Sequence, residues 1–291
     1  MEDDFIRQAT VSLIPTFMSD PFRLFSLLRD PDPRSRKTMR QIFRILAALM
    51  ILSAVSYAQQ PSFRVLAFYS ETVEHDHVDF AHQAIQFYTE AAKRDHFEFS
   101  TTKNWDDMNA KKLAEYQLVI WLDDFPHTPQ QRIAFEQYIE QGGGWLGFHI
   151  AAYNDSGTHW PWFLNFLGGG VFYGNNWPPM PVTIRADDPK HPVTRHAGTS
   201  FLSPANEWYI WQPSPRDNKD VKVLLTLSPS NYPLGMKDVI RDGDLPVMWT
   251  NTRYRMLYMN MGHGDRIFTS DIQNRLLEDA IVWVGETKRT H

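Results

Sequence analysis

Histidines and carboxylates follow several apolar segments of this chain, and His149 is the most informative of them. It ends the apolar run WLGFH within the segment GGGWLGFHIAAYNDSGTHWPW, residues 142–162. An apolar side chain would fill such a position without the cost of desolvating an imidazole. Histidine transfers protons near neutral pH and, in its neutral form, binds divalent metals. We therefore predict a chemical role for His149.

Two later segments also combine reactive side chains with features that suit a binding site. Glu207 lies beside Trp208 and Tyr209 in NEWYIW, which suits hydrogen bonding to sugar hydroxyls with stacking on the sugar face. A surface strand with one charged residue is the alternative. His263 in MGHGD has a glycine on each side, which permits close backbone approach to a ligand; an ordinary turn is the alternative.

The elements that must position these residues alternate between strand and helix in the first half of the chain. The continuous apolar run YQLVIWL is typical of a strand buried on both faces of a parallel sheet. Thr128, Pro129 and Gln131 form a capping box with proline in the first turn, and Gly142 can end that helix in the left-handed conformation. The periodicity predicts strands at 63–70, 97–102, 116–122 and 145–150 and a helix at 78–94.

The second half is less regular and contains proline-rich loops such as WPPMP and WQPSPR. Its final segment has apolar residues at helical spacing. The whole pattern predicts an α/β fold with a mostly parallel sheet and an irregular C-terminal half. Further strands are predicted at 182–185, 221–227, 245–250 and 256–261, and a final helix at 271–284.

In an open parallel sheet, ligands bind beyond the carboxyl ends of the strands, and polar residues follow those ends here. Histidines gathered in that crevice could bind a divalent metal such as zinc or shuttle protons, whereas a solvated or structural histidine is the alternative for each one. His75 and His77 point in two directions on an extended chain, so at most one of them easily joins His149. The candidates for substrate binding are Tyr153, Trp160, Trp208, Tyr209 and Asp123.

The amino-acid composition indicates which class of molecule the protein binds. The formal net charge of -5 gives no broad basic field for a phosphate backbone, so the sequence indicates no nucleic-acid partner and favours a small molecule. Ten Trp, eleven Tyr and nineteen Phe, many of them in polar stretches, suit stacking on a carbohydrate. The absence of cysteine excludes disulfides, thiolate metal ligands and a cysteine nucleophile.

The N-terminal region is predicted to be a targeting segment. From Met39, two arginines precede an apolar run at 45–55 and a small-residue cleavage site after Ala58, which is typical of a secretory signal peptide. We expect residues 1–38 to be an upstream extension, 39–58 the signal peptide and 59–291 a single domain that is periplasmic or secreted. The mature chain should then have no stable membrane span. A membrane-anchoring helix is the alternative for the apolar run, which is short for that purpose.

Several motifs occur together in the order seen in one family. The chain resembles the ThuA-like proteins, named for trehalose utilisation, from about Phe63 to Gly285. The resemblance implies a flavodoxin-like sheet of the class I glutamine amidotransferase type. It also implies a link to disaccharide or glycoside catabolism, in which members of the family occur together with sugar dehydrogenases that make keto-sugars. The motifs that carry it are GGGWLGFHIAA, WPWF, the His-Pro pair at 191–192, NEWY, VLLTLSPS, LPVMW and MGHG.

The resemblance also maps the family's recurring polar positions to His77, His149, Glu207 and His263. This sequence departs from the family at Ile150, where alanine is usual, and at Asn206, where aspartate is frequent. Amidotransferases of this fold use a cysteine after the strand that here precedes His149, so thiolate-dependent glutamine hydrolysis is excluded.

The functional prediction is therefore a secreted protein of carbohydrate catabolism. As an enzyme it would act on a glycoside or keto-sugar by acid–base or metal-assisted chemistry, with isomerase, lyase and hydrolase reactions all open. The alternative is a non-catalytic carbohydrate-binding protein that uses the same polar groups and aromatic rings. The sequence leaves the substrate, a bound metal and the oligomeric state undetermined.

Overall fold

The computed structural model describes residues 61–155, 157–231 and 244–286. The predicted upstream extension at 1–38 and signal peptide at 39–58 lie outside the described residues. Within the described part of the chain, no helix combines the length and apolar character that a membrane crossing requires.

Among the described residues, nine strands form the central sheet, and its first half is parallel. β1 (Arg64–Phe68), β2 (Glu98–Thr102), β3 (Leu118–Trp121) and β4 (Gly144–Phe148) pair in the order β2-β1-β3-β4. β3 and β4 are buried at every residue, because helices cover both faces of the parallel half.

The remaining strands form the irregular C-terminal half. β5 (Phe172–Asn175) and β8 (Tyr209–Trp211) pair as a separate two-stranded sheet. In the central sheet, β11 lies beside β4 in parallel orientation, and the order then continues β11-β10-β9-β6-β7 with antiparallel pairs. These strands are β6 (Met180–Ala186), β7 (Ser200–Asn206), β9 (Val221–Leu227), β10 (Pro246–Asn251) and β11 (Met256–Met259).

Two hydrophobic clusters lie on opposite faces of the sheet, because alternate residues of each strand point to opposite sides. Val65 and Ala67 of β1 belong to one cluster, and Leu66 and Phe68 belong to the other. The first cluster is covered by α1 (His75–Asp95) and α5 (Asp271–Glu286). The second is covered by α2 (Ala110–Leu113), α3 (Pro129–Glu140) and α4 (Pro161–Phe166).

The predicted fold class is confirmed. The chain has an α/β fold with a mostly parallel central sheet, helices on both faces and an irregular strand-rich C-terminal half. The local signals for α3 are also confirmed. Gln131 N–H donates to the Thr128 hydroxyl at 3.3 Å and Thr128 N–H donates to the Gln131 side chain at 3.1 Å, which completes the capping box. Gly142 follows the helix with a φ of 95°.

The strand directions bring separate parts of the chain to one edge of the sheet. In the β4–β11 pair, Phe148 lies opposite Met259, so the residues that follow both strands leave the sheet side by side. β1 pairs in parallel with β3, and β3 pairs in parallel with β4, so β1 runs in the same direction as β4 and β11. α1 follows β1 and therefore begins at the same edge. β7 is separated from β11 by four antiparallel pairings and therefore runs in the same direction. Four chain segments thus begin at the same edge.

Candidate active site at the carboxyl edge of the sheet

Four side chains from these four segments converge. His77 comes from the first turn of α1, His149 from the turn after β4, Glu207 from the link between β7 and β8, and His263 from the loop after β11. One ring nitrogen from each histidine and one carboxylate oxygen of Glu207 all lie within 4.8 Å of one another. The structure therefore brings together the four residues that the sequence singled out as catalytic candidates. We call these four residues the histidine–glutamate cluster.

The three imidazole rings face one another in the interior. The ring centroids are 5.2 Å apart for His77 and His149, 5.1 Å for His77 and His263, and 5.3 Å for His149 and His263. His149 is completely buried, and His263 and His77 are 2% and 7% exposed. Buried imidazoles normally have hydrogen-bond partners, yet His77 Nε2 and His263 Nδ1 are buried without one.

His149 occupies a backbone conformation that histidine seldom adopts. It lies one residue beyond β4, in a short 3-10 turn, with a φ of 41°. Such a conformation persists only where the surroundings enforce it. The Tyr258 hydroxyl donates to the His149 carbonyl at 3.1 Å. A Cβ atom added at Gly262 would lie 2.6 Å from His149 Cβ, so the loop after β11 fits against His149 only because residue 262 is glycine.

Both ring nitrogens of His149 have partners. Nε2 lies 3.1 Å from Oε2 of Glu207, and Nδ1 lies 3.1 Å from both the backbone oxygen and the side-chain nitrogen of Asn260. With the proton on Nδ1, the ring donates to the Asn260 carbonyl and leaves the Nε2 lone pair available. With the proton on Nε2, it donates to Glu207 and accepts from the Asn260 amide. Each neutral tautomer is thus hydrogen-bonded.

Burial keeps the imidazoles of His77 and His149 neutral. The pKa of His77 is lowered to about 3, chiefly by burial and further by the charges that His149 and His263 would carry. Burial is also the main reason that the pKa of His149 lies well below its ordinary value. A neutral imidazole has a nitrogen lone pair that can accept a proton or bind a cation.

Glu207 is the only carboxylate that lies within the cluster. Its pKa is raised, mainly by burial, while the neighbouring His263 and His77 act in the opposite direction. Its Oε1 atom accepts a hydrogen bond from the Asn175 side chain, and its Oε2 atom faces His149 Nε2. Both carboxylate oxygens are therefore held in fixed directions.

Asn206 and Asn260 form a buried frame that holds the cluster residues in register. The Asn206 side-chain oxygen accepts from the backbone N–H groups of Gly262 and His263 at 3.1 and 3.0 Å. Its amide nitrogen donates to the carbonyl oxygens of Asn260 and Glu207, at 3.1 and 2.6 Å. In the sequence, Asn206 was notable only as a departure from the family, and no motif pointed to Asn260. Their role depends on contacts across more than fifty residues.

Two more carboxylates approach His263 from the start of α1. Glu74 Oε2 lies 3.2 Å from His263 Nε2 and 3.4 Å from His77 Nε2, and Asp76 Oδ2 lies 3.7 Å from His263 Nδ1. Glu74 is about half exposed, so it links the buried cluster to solvent. The extended conformation expected for 75–77 is wrong, because these residues form the first helical turn. Only His77 joins the cluster, and His75 is exposed.

Two of the proposed substrate-binding residues lie close to the cluster through aromatic contacts. The Tyr209 ring is buried with its centroid 4.0 Å from that of His149. Phe172 packs against Tyr209 at 4.7 Å and against Tyr153 at 5.0 Å. The Tyr153 hydroxyl donates to Asp155 at 3.0 Å. Tyr209 therefore forms part of the wall behind His149, and Tyr153 lies farther out along the same row of rings.

The other proposed substrate-binding residues are buried elsewhere. Trp208 is fully buried and its indole N–H donates to the Met180 carbonyl at 2.9 Å, so its ring faces are covered by protein. Trp160 is 9% exposed and stacks on Phe163 within the second hydrophobic cluster. Neither ring offers an open face at the histidine–glutamate cluster. The expectation of sugar stacking on Trp208 and Trp160 is not supported, because both rings pack in the core.

Asp123 follows β3 at the carboxyl edge but is not a member of the cluster. Its Oδ1 atom accepts the Ser70 N–H at 2.8 Å, and its buried Oδ2 atom has no hydrogen-bond partner. Burial raises its pKa to about 8. The hydrogen bond to Ser70 joins the ends of β1 and β3.

An exposed aromatic residue that the sequence reasoning did not select lies beside the cluster. Trp177 is 67% exposed, and its ring centroid is 6.4 Å from that of His263. The preceding residue, Asn176, is buried. Its side chain accepts the backbone N–H of Trp208 at 2.6 Å and donates to the Pro178 carbonyl at 2.9 Å. These contacts hold the backbone next to Trp177, while the Trp177 ring faces solvent. The only sequence signal was a tryptophan in the proline-rich WPPMP loop.

The fold and site define an α/β protein with a mostly parallel sheet and a buried histidine–glutamate cluster at the sheet's carboxyl edge. Residues 64–284 match the model of the ThuA family, which is described as trehalose utilisation. The chain belongs to this family, and the resemblance inferred from its motifs is confirmed. The family links the chain to carbohydrate metabolism.

Solved structures agree with this assignment. The chain is similar to a ThuA-like protein from Bacteroides uniformis ATCC 8492, with 54% identity over 78% of this chain and 93% of that chain and a TM-score of 0.75. A ThuA-like protein from Parabacteroides merdae ATCC 43184 shares the fold at 15% identity, 77% and 90% coverage and a TM-score of 0.55. The glutaminase domain of Trypanosoma brucei CTPS shares it at 8% identity, 78% and 95% coverage and a TM-score of 0.50. Curated proteins show no significant match to the chain.

Proposed function

We propose that this protein is a sugar-processing enzyme that acts on a glycoside or keto-sugar at the histidine–glutamate cluster. The observation that carries the proposal is the convergence of three buried imidazoles and a carboxylate from four distant chain segments within 4.8 Å. Buried polar groups cost folding free energy, so such a set is typical of a functional site. The family's link to trehalose utilisation supports a carbohydrate as the small-molecule substrate.

The chemistry follows from the charge state and exposure of the groups. The neutral imidazoles of His77 and His149 lie with Glu207 in the interior of the site, where substrate oxygens would meet lone pairs and N–H donors. Glu74 is the group that carries protons between substrate and water, because its half-exposed carboxylate reaches both His77 and His263. Isomerisation, elimination and hydrolysis of a sugar all need such a proton carrier.

Trp177 provides a place for the sugar ring. Aromatic faces stack on the apolar faces of sugars, and this ring is open to solvent beside His263. Asn176 holds the backbone on the N-terminal side of Trp177, so little conformational freedom would be lost when a ligand stacks on the ring. A sugar on Trp177 would present its hydroxyl groups to Glu74 and to the cluster.

The same exposed tryptophan favours the second candidate function, a non-catalytic carbohydrate-binding protein. In that case the cluster would only orient the ligand by hydrogen bonds, and affinity would depend mainly on Trp177. The two functions differ in what the loss of His149 does, because a binding protein needs stacking more than it needs an imidazole.

The experiment combines turnover and binding assays of disaccharides and their keto derivatives with His149→Ala, His263→Ala and Trp177→Ala variants. An enzyme should lose turnover in both histidine variants and show mainly a raised KM in Trp177→Ala. Tyr173→Ala is the matched control, because Tyr173 is also an exposed aromatic residue, at 56%. Saturable binding without turnover, lost in Trp177→Ala and kept in His149→Ala, would establish the binding protein instead. Absence of both would refute the proposal.

We also propose that the protein is periplasmic or secreted, with a signal peptide from Met39 to Ala58. The support is the order of charged, apolar and small residues in this segment. N-terminal sequencing of the exported protein should find Gln59 as the first residue. A mature chain that starts before residue 39 would contradict this proposal.

A further inference from the structure

We propose that His77, His149, His263 and Glu207 together bind one divalent transition-metal ion of the zinc type. The proposal concerns binding by the free protein, and it holds whether or not the substrate is a sugar. It depends on the distances among the donor atoms, on unpartnered buried nitrogens, on the partners that fix the rings, and on the chemical nature of the donor set.

The donor atoms have nearly the separations that a metal requires. A tetrahedral ion with ligands at about 2.0–2.1 Å has neighbouring ligand atoms about 3.3 Å apart. Here His149 Nε2 and Glu207 Oε2 are 3.1 Å apart, and His263 Nε2 and Glu207 Oε2 are 3.9 Å apart. With all four donors within 4.8 Å, small side-chain rotations would close the set around one ion.

The cluster contains buried nitrogen atoms for which the protein provides no hydrogen bond. His77 is only 7% exposed, and its ring packs against both other imidazoles. Its Nε2 atom is buried and has no hydrogen-bond partner. An unsatisfied buried donor or acceptor costs free energy and calls for an explanation such as an ion. Glu74 Oε2 lies 3.4 Å from this nitrogen but forms no hydrogen bond with it, whereas a bound metal would satisfy it.

The outer partner of His149 orients its ring as in known metal sites. A metal-binding histidine usually donates its second N–H to a backbone carbonyl or a carboxylate. His149 Nδ1 lies 3.1 Å from the Asn260 carbonyl. His263 Nδ1 lies 3.7 Å from the Asp76 carboxylate, which is beyond hydrogen-bond distance, so this contact is an ion pair at most. In each case the Nε2 atom is left facing Glu207. The same arrangement selects one of the two hydrogen-bonded tautomers of His149.

The donor set selects the class of cation. Three imidazole nitrogens and one carboxylate oxygen suit Zn²⁺ and neighbouring first-row ions, whereas Ca²⁺ and Mg²⁺ prefer oxygen ligands. The chain has no cysteine, so thiolate-seeking ions such as Cu⁺ are not favoured. One carboxylate against a divalent ion leaves the site with one positive charge, which would attract electron-rich oxygens of a ligand.

A neighbouring set competes with this assignment. Glu74, Asp76 and His263 also have donor atoms within 4.8 Å of one another. The carboxylates of Glu74 and Asp76 are 51% and 37% exposed, so water already solvates them. The histidine–glutamate cluster, in contrast, is buried and includes an unpartnered nitrogen. The proposal therefore assigns the ion to the buried cluster and leaves Glu74 outside the ligand set.

The test measures Zn²⁺ binding to the tag-free full chain after chelator treatment, by calorimetry and by metal analysis after dialysis. We expect one Zn²⁺ per chain, with affinity weakened at least about 100-fold in His77→Ala and His149→Ala. His75→Ala is the matched control, since His75 lies on the same helical turn and is 85% exposed. Glu74→Gln should still bind one Zn²⁺ per chain, because Glu74 is not one of the four proposed ligands.

Two results would overturn the proposal: no saturable binding of Zn²⁺, Mn²⁺ or Co²⁺ by the unchanged protein, or binding lost in Glu74→Gln and kept in His149→Ala. If a histidine variant fails to fold, its binding measurement is replaced by the visible absorption spectrum of Co²⁺ bound to the unchanged protein. Intense absorption of four-coordinate Co²⁺ with nitrogen and oxygen ligands is expected, and the weak spectrum of aqueous Co²⁺ would refute the assignment. Neither readout uses a sugar, so failure here is distinct from failure of the proposed function.

Discussion

His149 Nε2 lies 3.1 Å from Glu207 Oε2, although 58 positions separate the two residues in the sequence. The contact depends on two different parts of the fold, because His149 leaves the parallel strand β4 whereas Glu207 follows β7 in the antiparallel half. Together with the contacts of His149 to Asn260 and Tyr258, it links the two halves of the sheet at the site. Disturbing either half should therefore affect the same chemistry.

The first prediction concerns the charge of Glu207. Glu207→Gln keeps the side-chain length and an oxygen that can accept from Asn175, but removes the negative charge at His149. Loss of a group that acts on the transition state typically costs about 100-fold or more in rate. We expect turnover of the sugar substrate to fall by at least about 100-fold, with a melting temperature within a few degrees of the unchanged protein.

Glu71→Gln is the control for this charge change, because Glu71 is an exposed carboxylate that pairs with Lys103 at 2.9 Å. It should change turnover less than about twofold, as expected for a solvent-screened ion pair. Equal activity of Glu207→Gln and Glu71→Gln would remove Glu207 from the reactive centre.

The second prediction concerns the amide of Asn206. In Asn206→Asp, a carboxylate oxygen would replace the nitrogen that donates to the carbonyl oxygens of Asn260 and Glu207. Two donated hydrogen bonds would be lost, and a buried charge would face two carbonyls. We expect the free energy of unfolding to fall by about 2–4 kcal/mol in urea titrations.

Asn109→Asp is the matched control, because the Asn109 side chain caps α2 by accepting the Lys112 N–H at 3.0 Å and aspartate caps a helix equally well. The Asn109 amide nitrogen also donates to the Asp106 carbonyl at 2.7 Å, but this hydrogen bond is exposed, so water can replace it. Its stability should change by less than about 0.5 kcal/mol. A similarly small change in Asn206→Asp would show that the buried frame does not hold the loops.

The third prediction concerns the contact between Gly262 and His149. In Gly262→Ala, the new Cβ atom would lie 2.6 Å from His149 Cβ, so either the loop or the histidine must move. Because a displacement of about 1 Å at a reactive group can cost about 100-fold in rate, we expect turnover and Zn²⁺ affinity both to fall by at least about tenfold. Calorimetry and steady-state kinetics measure the two effects.

Gly198→Ala provides the comparison. Gly198 has a φ of 68° with no atom within 4 Å of an added Cβ, so alanine there is strained but has space. It should lower stability by about 1 kcal/mol and leave the site intact. If Gly262→Ala affects only stability in the same way, the close approach to His149 has no functional consequence.

The fourth prediction concerns pH and Asp123. Burial is the main reason that the pKa of this carboxyl is about 8 in the folded protein, compared with 3.8 as its ordinary value. Between these values, the folded chain keeps a proton that the unfolded chain has lost. The free energy of unfolding must therefore decrease as the pH rises through this window. Asp123→Asn keeps the acceptor for Ser70 and removes the titration.

We expect Asp123→Asn to gain stability over the unchanged protein by about 1–3 kcal/mol as the pH rises from about 5 to about 8. Chemical unfolding at several pH values measures this difference. Asp217→Asn, at an exposed carboxylate, is the control for the loss of a surface charge. Parallel curves for Asp123→Asn and the unchanged protein would mean that Asp123 ionises normally.

The local elements were readable from the sequence because their signals act over a few residues. The capping box at Thr128 starts α3, Gly142 follows its end, and the apolar run before His149 forms β4. The residue type and immediate context of His149, Glu207 and His263 were also enough to select them. β5 and β7 were not predicted, because β5 has glycine and asparagine among its four residues and β7 contains proline, which weaken strand signals. A strand at β8 was only the alternative interpretation of NEWYIW.

The tertiary structure alone decided which side chains meet and which are exposed. Trp208 and Trp177 are both tryptophans in polar surroundings of the sequence, yet the first is buried and the second is open beside His263. Asn206 became a frame residue only because β7 ends near the loop after β11. Short-range patterns fix local backbone conformation, whereas burial and hydrogen bonding across the sheet depend on contacts among distant residues, which the order of residues does not reveal.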